Sequence, residues 1–118
     1  MNLYEILGIL FIHWFADFVL QTDKQAKGKS KNWSDLLAHT VTYSLVWWLI
    51  GLFHFKFELV MAFTATTFIF HTAQDYVTSR INSRLRVKGD VHNFFVSIGF
   101  DQWLHYAQLF ITYQLLKQ

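Results

Sequence analysis

Long apolar segments and short polar connections alternate four times along the chain. The apolar segments run approximately over residues 3–22, 33–53, 57–79 and 96–116. Each is long enough for a helix that crosses a bilayer, which requires roughly 20 mostly apolar residues. No proline and only five glycines are present to interrupt these helices. The pattern predicts an all-α fold in which residues 1–118 form one domain, an integral-membrane bundle of four antiparallel, up-down transmembrane helices.

The basic residues are distributed unevenly between the connections. Of the ten lysine and arginine residues, eight lie between segments one and two or between segments three and four, and only Lys56 and Lys117 lie on the other side. This asymmetry is typical of membrane proteins whose basic loops face the cytoplasm. Both the N-terminus and the C-terminus are therefore predicted to lie outside the cytoplasm. The connection FHFKF is so short that segments two and three must be antiparallel neighbours.

Composition narrows the range of functions. Hydrophobic residues make up 53% of the chain and aromatic residues 19%, a heavy aromatic load for a small domain with little interior. The alternative to a membrane bundle is a soluble four-helix bundle with an unusually aromatic core. The absence of cysteine excludes disulfides and thiolate metal ligands. A nucleic-acid partner is not expected, because the basic residues are few.

Each predicted helix carries one aspartate and one histidine four residues apart. The pairs are His13 and Asp17, Asp35 and His39, His71 and Asp75, and Asp101 and His105. Positions i and i+4 lie on the same helical face. The order within the pair reverses from one helix to the next, so in an antiparallel bundle every aspartate lies on the same side of its histidine. The pairs are therefore predicted to meet in one shared polar site.

Such a site predicts a bound cation. A lone aspartate near the centre of a bilayer costs roughly 2.5–3.5 kcal/mol even on lenient scales, so several aspartates must be neutralised. Carboxylate and imidazole ligands suit zinc, manganese or iron, of which zinc is favoured. In a second interpretation each aspartate orients a histidine ligand, and in a third the pairs only fix helix packing. Asp35 also follows NWS as in an ordinary helix start, so its membership of the site stays open.

The motifs resemble a small family of bacterial and phage integral-membrane proteins that is defined only as a domain of unknown function. The family pattern reads HxxxDFxLQ, a lone H, HxxxDxxxSR and DQxxH. It corresponds here to the following residues: His13, Asp17, Gln21, His39, His71, Asp75, Arg80, Asp101, Gln102 and His105. The resemblance implies a location in the bacterial inner membrane. The sequence is similar, more loosely, to small membrane proteins described as metal-dependent hydrolases.

These observations favour hydrolysis of a lipid or lipid-linked phosphate or ester at a metal site near the cytoplasmic leaflet. The predicted metal ligands are His13, Asp17, His39, His71, Asp75, Asp101 and His105. Asp17 or Asp75 is expected to serve as general base when it is not a ligand, Arg80 to pair with a phosphate oxygen, and Gln21 to hold substrate or a water molecule.

Two other functions stay open at this point. Rows of Asp and His also form proton or divalent-cation conduits, and four helices would then have to assemble as a homo-oligomer. A non-catalytic membrane accessory protein with a structural polar or metal-bound core is the remaining alternative. Membrane lipids are the predicted partners.

Overall fold

The computed structural model describes residues 1–117 of the chain, and this part of the chain is all α-helical. The elements in order are α1 (Leu3–Trp14), a π-helical turn (Phe15–Val19), α2 (Asp23–Gly28), α3 (Trp33–Gly51), α4 (Phe57–Lys88) and α5 (Val91–Lys117). The predicted all-α class is confirmed. The predicted bounds differ in four places, because segment one ends in a π-helical turn, a short helix precedes α3, α4 continues to Lys88, and α5 begins at Val91 rather than near residue 96.

Local sequence signals account for the ends of these helices. Asn2 and Glu5 form a capping box at the start of α1, and Thr22 and Gln25 form another at the start of α2. The side chain of Asn32 accepts from the backbone N–H of Asp35 at the start of α3. Such caps satisfy backbone donors that have no partner inside the helix.

The end of α4 is set by one glycine. Gly89 adopts a left-handed conformation with φ of 73°, which a residue without Cβ adopts readily. Its backbone N–H donates to the carbonyl groups of Leu85 and Arg86. The chain then turns directly into α5, so α4 and α5 form a long antiparallel pair.

The predicted transmembrane bundle is wrong. Within the described residues no helix is both long enough and apolar enough to cross a membrane. The predicted membrane topology, the inner-membrane location and the transmembrane character are overturned with it. The physical reason is that the apolar runs are shorter than they first look: α1 has only 12 residues, and the second half of α4 is charged and polar.

The interior of the molecule is divided between an apolar cluster and a polar centre. Ile9, Tyr43, Trp47 and Leu109 are buried together in the apolar part. The polar centre contains the four histidines and three of the four aspartates of the predicted pairs, whereas Asp35 lies at the start of α3; all eight residues are less than a tenth exposed. Helix α4 packs against both α3 and α5, so it lies in the middle of the arrangement and brings its own pair, His71 and Asp75, to the polar centre.

Candidate metal centre

Four side chains from three elements meet at the polar centre: Asp17 of the π-helical turn, His39 of α3, and His71 and Asp75 of α4. The Nε2 atom of His39 lies 2.9 Å from Asp17 Oδ1 and 3.2 Å from Asp75 Oδ2. The Nε2 atom of His71 lies 3.4 Å from Asp17 Oδ1 and 3.3 Å from Asp75 Oδ2. The two Nε2 atoms are 3.3 Å apart. We name these four residues the first ligand group.

A second ligand group shares one residue with the first. It consists of Asp75, Asp101 and His105. The Nε2 atom of His105 lies 3.2 Å from Asp75 Oδ1 and 3.3 Å from Asp101 Oδ1. Asp75 therefore directs Oδ2 to the first group and Oδ1 to the second, which is the arrangement of a carboxylate that bridges two ions. The buried His and Asp side chains of both groups could hold a metal ion.

His13 lies beside these groups rather than in them. Its Nε2 atom is 2.6 Å from Gln102 Oε1 and its Nδ1 atom is 2.7 Å from the hydroxyl of Tyr43. An amide oxygen can only accept, so Nε2 donates to Gln102 and Nδ1 of the neutral ring accepts from Tyr43. Burial lowers the pKa of His13, which favours that neutral form. Gln102 in turn donates to Asp17 Oδ2 and Asp101 Oδ2, at 3.5 and 3.3 Å.

Aromatic stacking holds the histidine rings of α4 and α5. The ring of His71 lies between Tyr43, at a centroid distance of 3.8 Å, and His105, at 4.2 Å. The Nδ1 atoms of His71 and His105 are buried without a hydrogen-bond partner in the described residues. The stack therefore fixes ring orientation at these two positions, where a carboxylate or carbonyl on Nδ1 commonly does so in metal sites.

Charge in the centre is concentrated and buried. Burial alone would raise the pKa of Asp17 and Asp75, but attraction to His71 and the hydrogen bonds from neighbouring histidines together outweigh it and hold both pKa values well below their usual range. Burial alone would lower the pKa of His105, but hydrogen bonds to Asp101 and Asp75 outweigh it and raise the pKa to about 10. The carboxylates are therefore ionised and each needs a positive partner.

A lysine that sequence reasoning did not include supplies part of this positive charge. Lys29, in the connection between α2 and α3, places Nζ 3.3 Å from Asp75 Oδ2. Burial alone would lower the pKa of Lys29, but attraction to Asp75, Asp17 and Asp101 raises it. Nothing in the sequence distinguishes Lys29 from the neighbouring lysines, because its position depends on the fold of α2.

A polar cavity of about 260 Å³ opens next to the ligand groups. Asp17, Asp101 and Gln102 form part of its wall, together with Lys29 and Gln21. A larger cavity, of about 320 Å³, lies beside Gly8 and Trp47 and is mostly apolar, and none of the ligand residues lines it. The polar cavity is therefore the one that gives access to the candidate metal centre.

Arg80 and Asp35 lie outside the two ligand groups. The guanidinium of Arg80 stacks on the ring of Tyr76 at 3.6 Å and donates to the Tyr76 carbonyl, and Arg80 does not line the polar cavity. Asp35 accepts from Asn32 and lies 3.9 Å from Lys24, so it stabilises the start of α3.

Comparison with protein families identifies a family of unknown function, as the motifs indicated. Residues 6–118 match the family described as a protein of unknown function, DUF3307. The chain belongs to this family. Comparisons with curated proteins and with solved structures gave no match. Membership of DUF3307 therefore brings no known activity with it.

Proposed function

We propose that this DUF3307 protein is a hydrolase of phosphate esters that uses two divalent ions bridged by Asp75. The lipid part of the predicted substrate is not retained, because it rested on the membrane location. Six motif residues supply the ligands in this proposal: Asp17, His39, His71, Asp75, Asp101 and His105. His13 lies behind them and acts through Gln102.

The spacing of donor atoms in the first ligand group carries this proposal. Zinc bound tetrahedrally by nitrogen and oxygen at about 2.0–2.1 Å has donor atoms about 3.3–3.4 Å apart along the edges of the tetrahedron. Five of the six edges among Asp17 Oδ1, His39 Nε2, His71 Nε2 and Asp75 Oδ2 measure 2.9 to 3.4 Å. Zinc is thus the favoured ion, with manganese or iron as alternatives for the same ligands.

The second ligand group supports a reaction rather than a structural ion. Three protein ligands leave a position free for water or substrate, as in catalytic zinc sites, and Asp101 lies at the wall of the polar cavity. A divalent ion held by Asp75, Asp101 and His105 would supply Lewis-acid chemistry, lowering the pKa of a water molecule and polarising the phosphoryl group.

The reaction is a displacement at phosphorus. The oxygen of water forms a bond to phosphorus while the bond from phosphorus to the ester oxygen breaks. Oδ2 of Asp101, the oxygen that does not face His105, would accept the proton that the water loses, and the ester oxygen would leave as an alcohol after taking a proton from solvent. Lys29 donates a hydrogen bond to a phosphoryl oxygen, the role that sequence analysis gave to Arg80.

One specific observation favours a second candidate, a metal-free ionic core. Asp17, Asp75 and Asp101 carry three negative charges, and Lys29 lies on Asp75. Burial opposes charge on His39 and His105, but their carboxylate partners outweigh it and raise both pKa values. Three positive groups can thus balance three carboxylates without an ion, and the centre would then only stabilise the fold.

Metal analysis of the purified protein distinguishes the two candidates. The proposal predicts one or two equivalents of zinc, manganese or iron in the wild type and a strong loss in His71→Ala. His54→Ala is the matched control, because His54 is exposed and, among residues 1–117, its side chain bonds only to the carbonyl of Ile50. The wild type and the control are expected to hydrolyse p-nitrophenyl phosphate after metal loading, whereas His71→Ala is not.

The opposite result would contradict the proposed metal centre. In that case the protein is metal-free as isolated, and its melting temperature does not rise with added zinc, manganese or iron. Lys29→Met sharpens the comparison: a metal centre keeps its ion, since Lys29 is not a ligand, whereas an ionic core loses stability with the lysine.

A further inference from the structure

The polar cavity extends well beyond the ligand groups along α4. Ser79, Asn82, Ser83 and Arg86 lie 4, 7, 8 and 11 residues after Asp75, so these side chains share one face of the helix. All four of them line the cavity. At a rise of about 1.5 Å per residue, Arg86 lies about 16 Å beyond Asp75 along the helix axis. Helical side chains generally lean toward the N-terminus of their helix, which is the direction in which the ligand groups lie from Arg86.

The outer end of the cavity is positively charged. Lys27 of α2 and Arg86 of α4 both line it and both are exposed. Neither forms a side-chain hydrogen bond or an ion pair with another described residue. Two unpaired cations that face one cavity from different elements attract an anionic group, and arginine can bind a phosphate through two parallel hydrogen bonds.

Between the two ends the cavity wall presents oxygen atoms with unused hydrogen-bonding capacity. Gln21 Oε1, Ser79 Oγ and Asn82 Oδ1 are buried and have no partner in the described residues. Buried polar atoms normally have a partner, and amide oxygens can only accept hydrogen bonds. A ligand that supplies hydroxyl groups at this depth would satisfy them.

We infer that the substrate of the proposed hydrolase is a small phosphorylated polyol that carries a second phosphate or other anionic group. Lys27 and Arg86 bind that second group, and Gln21 and Asn82 accept hydrogen bonds from the hydroxyl groups between. This inference rests on the proposed function only for the hydrolysis of the ligand, because binding of the ligand in the cavity can be tested separately.

Calorimetric titration with matched probes tests the outer anion site. Glucose 1,6-bisphosphate and glucose 6-phosphate differ by one phosphate, and the wild type is expected to bind the bisphosphate about tenfold more tightly. Arg86→Ala should abolish this difference and Arg86→Lys should restore part of it. Arg84→Ala is the matched control, since Arg84 is exposed on the same helix but does not line the cavity.

The hydroxyl groups are tested with hexane-1,6-diol bisphosphate, which keeps both phosphates and lacks the hydroxyls between. The wild type should bind it several-fold more weakly than the sugar bisphosphate, and Asn82→Leu should bind both alike. Equal effects of Arg86→Ala and Arg84→Ala, or equal binding of the mono- and bisphosphate by the wild type, would overturn the inference.

These titrations and the metal analysis fail independently. If the protein contains no metal and hydrolyses nothing, but Arg86→Ala still removes the preference for the bisphosphate, the cavity is a binding site and the hydrolase is wrong. If hydrolysis is found and the preference is absent, the metal centre stands and the substrate class is wrong.

Discussion

Tyr43, which was not singled out from the sequence, contacts both a candidate ligand, His71, and a residue behind the ligands, His13. Its ring stacks on His71, and its hydroxyl bonds His13, which bonds Gln102. Burial raises the pKa of Tyr43 well above its usual value, so the hydroxyl stays protonated and can donate. One side chain thus orients a ligand directly and two carboxylates through His13 and Gln102.

Tyr43→Phe should separate these two roles. The phenylalanine ring keeps the stack on His71, but His13 Nδ1 loses its donor, and a buried polar atom without a partner costs about 1–3 kcal/mol. We expect that decrease in the free energy of unfolding, measured by urea titration, with metal content preserved. Tyr4→Phe is the control, because Tyr4 is 85% exposed. Equal stability of the two variants would show that the hydrogen bond to His13 contributes nothing.

At the level of single residues the sequence predicted the members of the centre better than their roles. The four-residue spacing selected His39, His71 and His105, and the structure brings these rings together with Asp17 and Asp75. It could not show that His13 faces Gln102, since every pair has the same spacing. Tyr43 and Lys29 were missed because an aromatic residue in an apolar run and a lysine among lysines carry no local signal.

Among the elements, the short helix α2 depends on one close approach to α3. Gly28 ends α2 and is buried, and a Cβ atom at this position would lie 1.8 Å from Asp35 Oδ2. Asp35 cannot move away without losing its hydrogen bond from Asn32. Glycine at position 28 therefore allows α2 to pack on α3, which holds Lys27 and Lys29 over the polar cavity.

Gly28→Ala should destabilise the protein by about 1–3 kcal/mol, as other overpacked sites do. Gly99→Ala offers a matched control within α5, where a Cβ atom would meet nothing within 4 Å and alanine should stabilise the helix by about 0.5–1 kcal/mol. Unfolding in urea measures both variants. A neutral Gly28→Ala variant would mean that α2 can shift, and that the approach of α2 to α3 is not fixed.

The predicted end of α4 was wrong because a stretch rich in basic residues was interpreted as a loop between two helices. The four basic residues from Arg80 to Lys88 were assigned to a connection, whereas α4 continues through all of them. Helix formers with long side chains fill this stretch, and nothing before Gly89 interrupts it. The π-helical turn at Asp17 could not be predicted either, because the sequence around it has no proline or glycine to mark it.

On the scale of the whole molecule, a small polar cluster joins the start of α1 to the end of α5. Glu5 accepts hydrogen bonds from Lys117 and Tyr113, both at 2.7 Å. The hydrogen bond from Lys117 is the main cause that lowers the pKa of Glu5 to about 2, from an ordinary value of 4.5. The folded state therefore binds the Glu5 proton more weakly than the unfolded state does.

The sign of this shift predicts how stability changes with pH. A lowered folded-state pKa contributes stability that is present above about pH 4.5 and is lost as the pH falls toward 2. The melting temperature of the wild type should exceed that of Glu5→Gln at pH 6, and the difference should shrink as the pH falls. Glu58→Gln serves as the control, because Glu58 forms no side-chain hydrogen bond or ion pair with the described residues. A difference that does not depend on pH would rule out the ionised Glu5 as its source.

The error about the membrane also belongs to the whole molecule. The chain has a mean hydropathy of +0.24 and 53% hydrophobic residues. Its four long apolar segments were therefore interpreted as membrane spans on their length and apolar content. The histidines and aspartates of the buried centre lie inside those same segments and lower their hydropathy. They add to the short α1 and the charged second half of α4 as reasons why no described helix is long and apolar enough to span a membrane.

Helix α4 carries both Asp75 and Arg86 without interruption. In the proposed hydrolase the distance between the reacting phosphorus and the outer anion would therefore be set by whole helical turns rather than by an adjustable loop. Inserting one residue between them would rotate Arg86 by about 100° away from the cavity. Substrate length in this family would therefore change during evolution in jumps of a turn, not by gradual stretching.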